Sequence, residues 1–351
     1  MDLELERLDA LYTDLVNERI GGRAVSCSDE WFAASENLVK HAAPIFREGH
    51  FVSTGQWMDG WESRRSFGRM GPDGQRVDYD WCILRLGISG RIVKVDVDTT
   101  HFTGNSPEEV ALEGTWCEAS PGADAEWFEL VPRSEAEAHS HNLFEVECPR
   151  RCSHVRLRIF PDGGVARLRV WGIARPHPEH YLPGEFVDLA SVMLGGRGQR
   201  CSNMFYSSPS NLILPYPGTN MGDGWETKRR RDDGHDWCVV RLGVPGTIRK
   251  VIVDTSHFKG NFPDYFTLDA ARADGDDALA EGADWEEVIG PNHLGPDDQH
   301  LYIDEIKARR ESEYTHVRLN IYPDGGVSRL RVIGLPNWDA LNEPDRIQPR
   351  G

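Results

Sequence analysis

No run of about 18 consecutive apolar residues occurs in this sequence, so no helical membrane span is expected. It lacks a basic start followed by an apolar stretch, so no secretory leader is expected, and the cytoplasm is the expected compartment. Positive charge is scarce. Against 57 Asp and Glu there are only 39 Lys and Arg, which leaves a formal net charge of −18. A field of that sign repels nucleic acid and anionic membranes, so a small molecule is the expected partner. If that molecule is an anion, local Arg or Lys must hold it. The seven cysteines, Cys27, Cys82, Cys117, Cys148, Cys152, Cys201 and Cys238, are odd in number and contain no CxxC pair. Neither a disulfide framework nor a zinc knuckle is indicated, and free thiols in a reducing compartment are expected. No Gly-rich phosphate loop follows a strand and no GxSxG elbow is present, so nucleotide binding and a serine nucleophile lack support.

What the sequence does contain is a repeat. A length of 351 residues suggests two domains at about 150 residues each. Residues 154–172 read HVRLRIFPDGGVARLRVWG and residues 316–334 read HVRLNIYPDGGVSRLRVIG, identical at 15 of 19 positions. Three more blocks recur in the same order. GGRAVSCS (21–28) answers GGRGQRCS (195–202), and DGWESRR (59–65) answers DGWETKR (223–229). DWCILRLG (80–87) answers DWCVVRLG (236–243), and each runs on to DTTHFTGN (98–105) or DTSHFKGN (254–261). The chain is therefore a tandem duplication. The expected organisation is an N-terminal helical extension over 1–11, a first repeat over 12–174, a Pro-rich linker over 175–185, a second repeat over 186–335, and a polar, loosely held tail over 336–351.

Within each repeat the period is two. Val93, Val95 and Val97 alternate with Lys94, Asp96 and Asp98, Val155, Leu157 and Ile159 alternate with Arg156 and Arg158, and Leu168 and Val170 alternate with Arg167 and Arg169. Such alternation predicts strands with one face in a core and the other in water. The PDGG at 161–164 separates two such runs and reads as a hairpin turn. Short strands with frequent Gly and Pro turns favour an all-β sandwich or jelly roll over a parallel α/β sheet. Leu5, Leu8, Leu11 or Tyr12, and Leu15 fall at helical spacing, which predicts a short amphipathic helix at the N-terminus.

The series DGWESRR, DWCxxRLG, D-T-[TS]-H-F-x-G-N and [FY]PDGG, present twice and in order, resembles the allantoicase family from about residue 12 to 335. The resemblance implies a pair of jelly-roll domains of the galactose-binding-like type. It also implies hydrolysis of allantoate to ureidoglycolate and urea in purine (allantoin) breakdown.

That chemistry has three requirements. Urea leaves only when protonated, so a general acid is needed, and a general base must activate the water that replaces it. A cation must hold the substrate carboxylate, which Arg does bidentately. The repeated motifs supply each residue type. Asp59, Glu62 and Arg65, with Asp223, Glu226 and Arg229, form one candidate set. Glu62 and Glu226 are the acid–base candidates, and Asp59, Arg65, Asp223 and Arg229 are the substrate-binding ones. The competing account is a Glu62–Arg65 ion pair that holds a loop closed. His101 and Asn105, with His257 and Asn261, form the other set. Histidine shuttles protons near neutral pH, and Asn bonds both ends of a ureido group. The competing account makes the His a strand-end cap on backbone carbonyls and the Asn a turn residue.

Asp98 and Asp254 either orient the neighbouring His or lie on a solvated sheet face. Asp162 and Asp324 read as turn residues, His154 and His316 as structural, and Trp61, Trp81, Trp225 and Trp237 as core or pocket wall. A divalent cation, Mn²⁺ or Ca²⁺, is compatible with these ligand types, although the spacing matches no metal motif. Two other readings stay open. One is a non-catalytic β-sandwich that binds carbohydrate or another small ligand. The other is one active half and one scaffold half, since Arg64 faces Lys228 and the stretch from Arg65 to Tyr79 is longer than that from Arg229 to His235. Homo-oligomerisation suits a symmetric sandwich.

Overall fold

The computed structural model describes residues 2–71, 74–273, 284–308 and 311–341. The chain divides into two units, Met1–Arg175 and Pro176–Gly351, each with its own core. The first opens with α1 (Asp2–Leu11) and continues through β1 (Thr13–Asp14), β2 (Arg23–Cys27), β3 (Phe51–Val52), β4 (Gly55–Gln56), β5 (Trp61–Glu62), β6 (Asp80–Asp98), β7 (Glu109–Thr115), β8 (Phe128–Glu135), β9 (His141–Glu145), β10 (Arg151–Phe160), β11 (Gly164–Val165) and β12 (Arg167–Ala174). The second runs through β13 (Val187–Asp188), β14 (Arg197–Cys201), β15 (Trp225–Glu226), β16 (Asp236–Asp254), β17 (Tyr265–Ala271), β18 (Glu286–His293), β19 (Gln299–Tyr302), β20 (Tyr314–Tyr322), β21 (Gly326–Val327) and β22 (Arg329–Pro336).

Every pairing among the described strands is antiparallel, and the duplicated all-β sandwich read from the sequence is the architecture found. Its organiser in the first unit is β6, 19 residues long. The first part of β6 lies between β2 and β10, and β7 and β8 extend that layer. Its second part lies between β12 and β9, with β1 on the far side of β12. One strand therefore serves both layers, a known way to turn the corner of a sandwich. Strand β16 does the same in the second unit, between β14 and β20 and then between β22 and β19. The inward residues Leu84, Val95, Val97, Leu157, Ile159, Leu168 and Val170 are buried.

Helix α1 forms where the leucine spacing places it but ends at Leu11, because Thr13 and Asp14 pair with Gly172 and Trp171 of β12. Leu8 packs inward, and Asp9 accepts the Trp171 Nε1 hydrogen at 2.8 Å. Leu15 is fully buried, but in the turn that follows β1 and not in the helix. In the tail, Trp338–Leu341 forms a 3₁₀ turn and Trp338 stacks on Tyr181, while the rest of the expected loose tail, 342–351, lies outside the described residues.

Two sequence expectations are corrected. The PDGG segments are not hairpins. Strands β10 and β12 both pair with β6 and never with each other, so each PDGG carries the chain from one layer to the other. Asp98 and Asp254 are not on a solvated face, and neither bonds the His three residues on, His101 or His257; Asp98 instead lies 4.0 Å from His141 Nδ1 on β9. They are 2% and 3% exposed, in strands paired on both sides, Asp98 between Arg167 and His141 and Asp254 between Arg329 and Gln299. Asp98 accepts the Thr100 amide at 2.8 Å, and Asp254 accepts the Ser256 amide at 2.7 Å and the Gln299 amide group at 2.9 Å.

The PDGG crossing packs tightly. Gly163 has φ of 132°, and a Cβ on Gly164 would lie 2.0 Å from the Phe102 ring. Only glycine lets the β5–β11 pairing of Glu62 with Gly164 form over that ring. Gly164→Ala should therefore destabilise the first unit by about 1–3 kcal/mol through overpacking. Thermal unfolding should show a drop of roughly 2–12 °C, and no change in melting temperature would contradict the packing account.

Candidate functional site

Four loops meet at one end of the first sandwich: the segment after the first 3₁₀ turns (42–46), the DGWESRR loop, the loop after β6, and the PDGG crossing. The tie at their base is a buried ion pair. Arg167, the first residue of β12, is 1% exposed and donates through Nη2 to Asp59 Oδ2 at 2.7 Å, through Nη1 to Asp59 O at 2.9 Å, and through Nε to Ala42 O at 2.9 Å. Asp59 also accepts the Ile45 amide at 3.1 Å and lies 3.3 Å from Lys40 Nζ. Burial opposes its ionisation, but Arg167, the Ile45 amide and Lys40 outweigh that and hold its carboxyl below the usual range. In the second unit Arg329 repeats the arrangement, with Asp223 Oδ2 at 3.0 Å, Asp223 O at 2.6 Å and Tyr216 O at 2.7 Å. The sequence reading missed Arg167 and Arg329, which had looked like polar-face positions of a strand. Their signal was that the Asp of DGW and the first Arg of RLRV recur together in each repeat.

Above this tie, Glu62 and Asn105 come together. Asn105 Nδ2 donates to Glu62 Oε1 at 2.8 Å, and Asn261 Nδ2 donates to Glu226 Oε1 at 2.5 Å. The Asn backbone is held as well: Gly164 N donates to Asn105 O at 2.7 Å and Gly326 N to Asn261 O at 2.8 Å. Burial pushes the Glu62 carboxyl above its ordinary value, and the Asn105 amide and the Arg65 charge only partly counter this. Glu62 and Glu226 are half-buried, so each reaches solvent from a partly dry wall.

Arg65 does not pair with Glu62 as the loop-closing account proposed. Its Nη1 lies 3.5 Å from Asp162 Oδ1 and its Nη2 lies 3.4 Å from Gly104 O, both long contacts, and its side chain is 69% exposed. Arg229 makes no ion pair among the described residues and is exposed. Both guanidinium groups are thus available to an incoming anion. Asp162 is more than a turn residue. It is buried and accepts the Ser66 amide at 2.6 Å, and Asp324 accepts the Arg230 amide at 2.8 Å, which fixes the stretch that carries each Arg.

His101 and His257 are placed differently. Each has φ of 73°, a left-handed conformation uncommon for a residue with a side chain. The surroundings enforce it: the His101 amide donates to His139 Nδ1 at 2.8 Å and the His257 amide to Asp297 Oδ1 at 2.7 Å. Their Nε2 atoms lie 3.3 Å from Pro44 O and 2.8 Å from Gly218 O. The His101 ring also packs near Phe46 and His139. Each imidazole is thereby joined to the segment that also wraps the buried Arg, and not to the glutamate.

Trp61 and Trp225 are fully buried core residues, donating to Asp29 O at 2.8 Å and Asn203 O at 2.9 Å. Trp81 and Trp237 donate their backbone amides to the hydroxyls of Ser28 and Ser202, both at 2.9 Å. His154 is buried, and desolvation, with Arg85 and Arg23 nearby, lowers it to about 4. His316 is buried against Thr315. Among the described residues, three donor atoms approach within 4.8 Å of one another at His177, Glu179 and His180, a turn outside the candidate set. No described helix is long and apolar enough to cross a membrane.

The sequence matches the model of the family described as Allantoicase repeat over residues 13–175 and 187–337. It is 41% identical over 329 residues to a probable allantoicase of Pseudomonas paraeruginosa, covering 93% of this chain and 96% of that protein. It is 38% identical over 326 residues to an allantoicase of Dictyostelium discoideum, covering 91% and 86%. The fold is similar to the crystal structure of an allantoicase from Saccharomyces cerevisiae, with a TM-score of 0.78 and 36% identity over 95% of this chain and 98% of that one.

Asp59→Asn leaves the buried Arg167 guanidinium without its counter-charge and should cost about 3–5 kcal/mol. Because the folded-state pKa of Asp59 is depressed, its contribution is complete above the unfolded value of about 3.9 and fades as pH falls through the lower folded value. Denaturant titrations of wild type and variant should therefore converge toward acid pH, and a gap that persists unchanged would contradict this assignment.

Proposed function

This chain belongs to the allantoicase family of C–N hydrolases, and from that premise we propose how its residues carry out the hydrolysis of allantoate to ureidoglycolate and urea in purine degradation. The observation that carries the proposal is the Glu–Asn pair at the mouth of each sandwich, with an available Arg on the neighbouring loop. We assign one site to each domain.

Allantoate brings a carboxylate and two ureido groups on one carbon. Arg65 or Arg229 takes the carboxylate, exchanging long resting contacts for a bidentate bond. Asn105 or Asn261 offers its amide to a ureido carbonyl. Glu62 or Glu226, in protonated form, passes its proton to the nitrogen of the departing ureido group. The C–N bond breaks as the remaining ureido nitrogen supplies its lone pair, and urea leaves. The resulting carboxylate then takes a proton from the water that adds to the iminium carbon, which restores the acid and gives ureidoglycolate. The burial that raises the Glu62 pKa keeps it able to work in both directions. His101 and His257 act as positioning residues that hold the 42–46 and 216–219 segments over the buried Arg. Asp59 and Asp223 serve the site through that same Arg. The cytoplasm and a homo-oligomeric state remain part of the proposal, as does the compatibility of these loops with Mn²⁺ or Ca²⁺.

Urea release from allantoate tests this reading, assayed after chelation and with Mn²⁺ or Ca²⁺ added. Glu62→Gln with Glu226→Gln should lower turnover by about 10²–10⁴-fold, while each single variant should keep roughly half of it through the other domain's acid–base group. Loss of all activity in one single variant would replace two sites with one.

The pH dependence gives a separate check. As Glu62 acts first as an acid, kcat/KM should fall as pH rises through an apparent pKa above 4.5 in an enzyme carrying Glu226→Gln. Arg65→Gln removes a charge that lowers this pKa, so it should move that limb to higher pH as well as raise KM. A limb that stays in place would argue against Glu62 as the titrating group.

A further inference from the structure

Four of the seven cysteines face one another in pairs that the hydrolysis does not use. Cys27, at the end of β2, is directly opposite Cys82 of β6, and Cys201 of β14 is directly opposite Cys238 of β16. The next residue along fixes the kind of pair. Ser28 N donates to Trp81 O at 2.9 Å and Ser202 N to Trp237 O at 2.8 Å. In an antiparallel ladder, a bond from residue i+1 to residue j−1 brackets a non-hydrogen-bonded pair i and j. In that class Cα atoms are about 4.5 Å apart and side chains on the same face are closest. A disulfide bridges Cα separations of about 4.4–6.8 Å, so neither pair needs the sheet to come apart in order to close.

Access is uneven within each pair. Cys82 and Cys238 are fully buried, while Cys27 and Cys201 are half-buried. All four are free thiols in the structure. The pair recurs although the residues ahead of its first cysteine have diverged, from Ala24-Val25-Ser26 in one repeat to Gly198-Gln199-Arg200 in the other.

We propose that each domain carries a covalent modification site, a cross-strand dithiol formed by Cys27 with Cys82 and by Cys201 with Cys238, which a peroxide closes to a disulfide. The outer thiolate attacks one oxygen of hydrogen peroxide. The O–O bond breaks, hydroxide leaves, and a sulfenic acid remains on Cys27 or Cys201. The inner thiol then gives up its proton and attacks that sulfur, so the S–S bond forms as the S–O bond breaks and a second hydroxide departs. The two thiol protons convert both hydroxides to water. The sulfurs lose the two electrons that the peroxide gains.

Burial pushes the outer thiols up to about 11 and the inner ones well above the ordinary thiol range. Glu30 and Asp29 beside Cys27, and Asp236 beside Cys201, push the same way, opposed by the Ser35 hydroxyl and the Asn203 amide. Thiolate is therefore scarce at neutral pH, and closure is slow there and faster in mild alkali.

The test uses the full chain treated with hydrogen peroxide at about pH 8.5, quenched with a maleimide and analysed by intact mass and peptide mapping. The expected result is a loss of about 2 Da per domain, a fall in alkylatable thiols from seven to three after denaturation, cross-linked peptides containing Cys27–Cys82 and Cys201–Cys238, and full reversal by dithiothreitol. Cys27→Ser should abolish closure in the first domain only, with the second pair as an internal control for folding. Addition of oxygen to Cys27 or Cys201 without cross-linking, a Cys148–Cys152 or interchain bond in their place, or no mass change until the protein unfolds would each overturn the proposal.

Discussion

The site depends on a guanidinium that water does not reach. Arg167, and Arg329 in the second unit, sits at the foot of a strand with almost no exposure, and its donors are taken up by the carboxylate and carbonyl of one loop and a carbonyl of another. A charge buried at that depth is tolerable only when its partners are complete. It therefore fixes the path of the DGWE loop and of the segment crossing above it at the same time. What lies on top, Glu62 with Asn105 and Glu226 with Asn261, inherits its geometry from that tie and from the glycine crossing packed over Phe102 or Phe258.

This arrangement separates residues that the sequence presents as one group. Asp59 and Glu62 are three apart and read as equivalent carboxylates. The fold directs one downward into an ion pair and the other toward the mouth of the sandwich. Their ionisation follows: cationic and amide partners hold the first low, and burial with weaker compensation raises the second. The histidines show a similar division. Their left-handed backbone and carbonyl partners make them struts between loops.

Much of the architecture was legible because a duplication states its own boundaries and because period-two alternation is a direct signature of half-buried strands. Block identity predicted the repeat, and the leucine spacing predicted α1. The misreadings share one cause. Whether Asp98 lies in water, or whether PDGG closes a hairpin, depends on which distant strand pairs with the segment. Strands β9 and β19 paired beside the aspartates, and β6 between β10 and β12, are long-range facts that local pattern does not carry. Arg167 was overlooked for the same reason, since its alternation with Leu168 is that of an ordinary surface strand until the loops close over it.

Within a unit, the opening strand β1 pairs with the closing strand β12, as β13 does with β22. The two ends of each sandwich are thus neighbours, zipped side by side on one sheet. A chain built this way can be copied head to tail with only a short bridge. Doubling such a chain adds a second complete sandwich, loops included, without cutting a single ladder in the first.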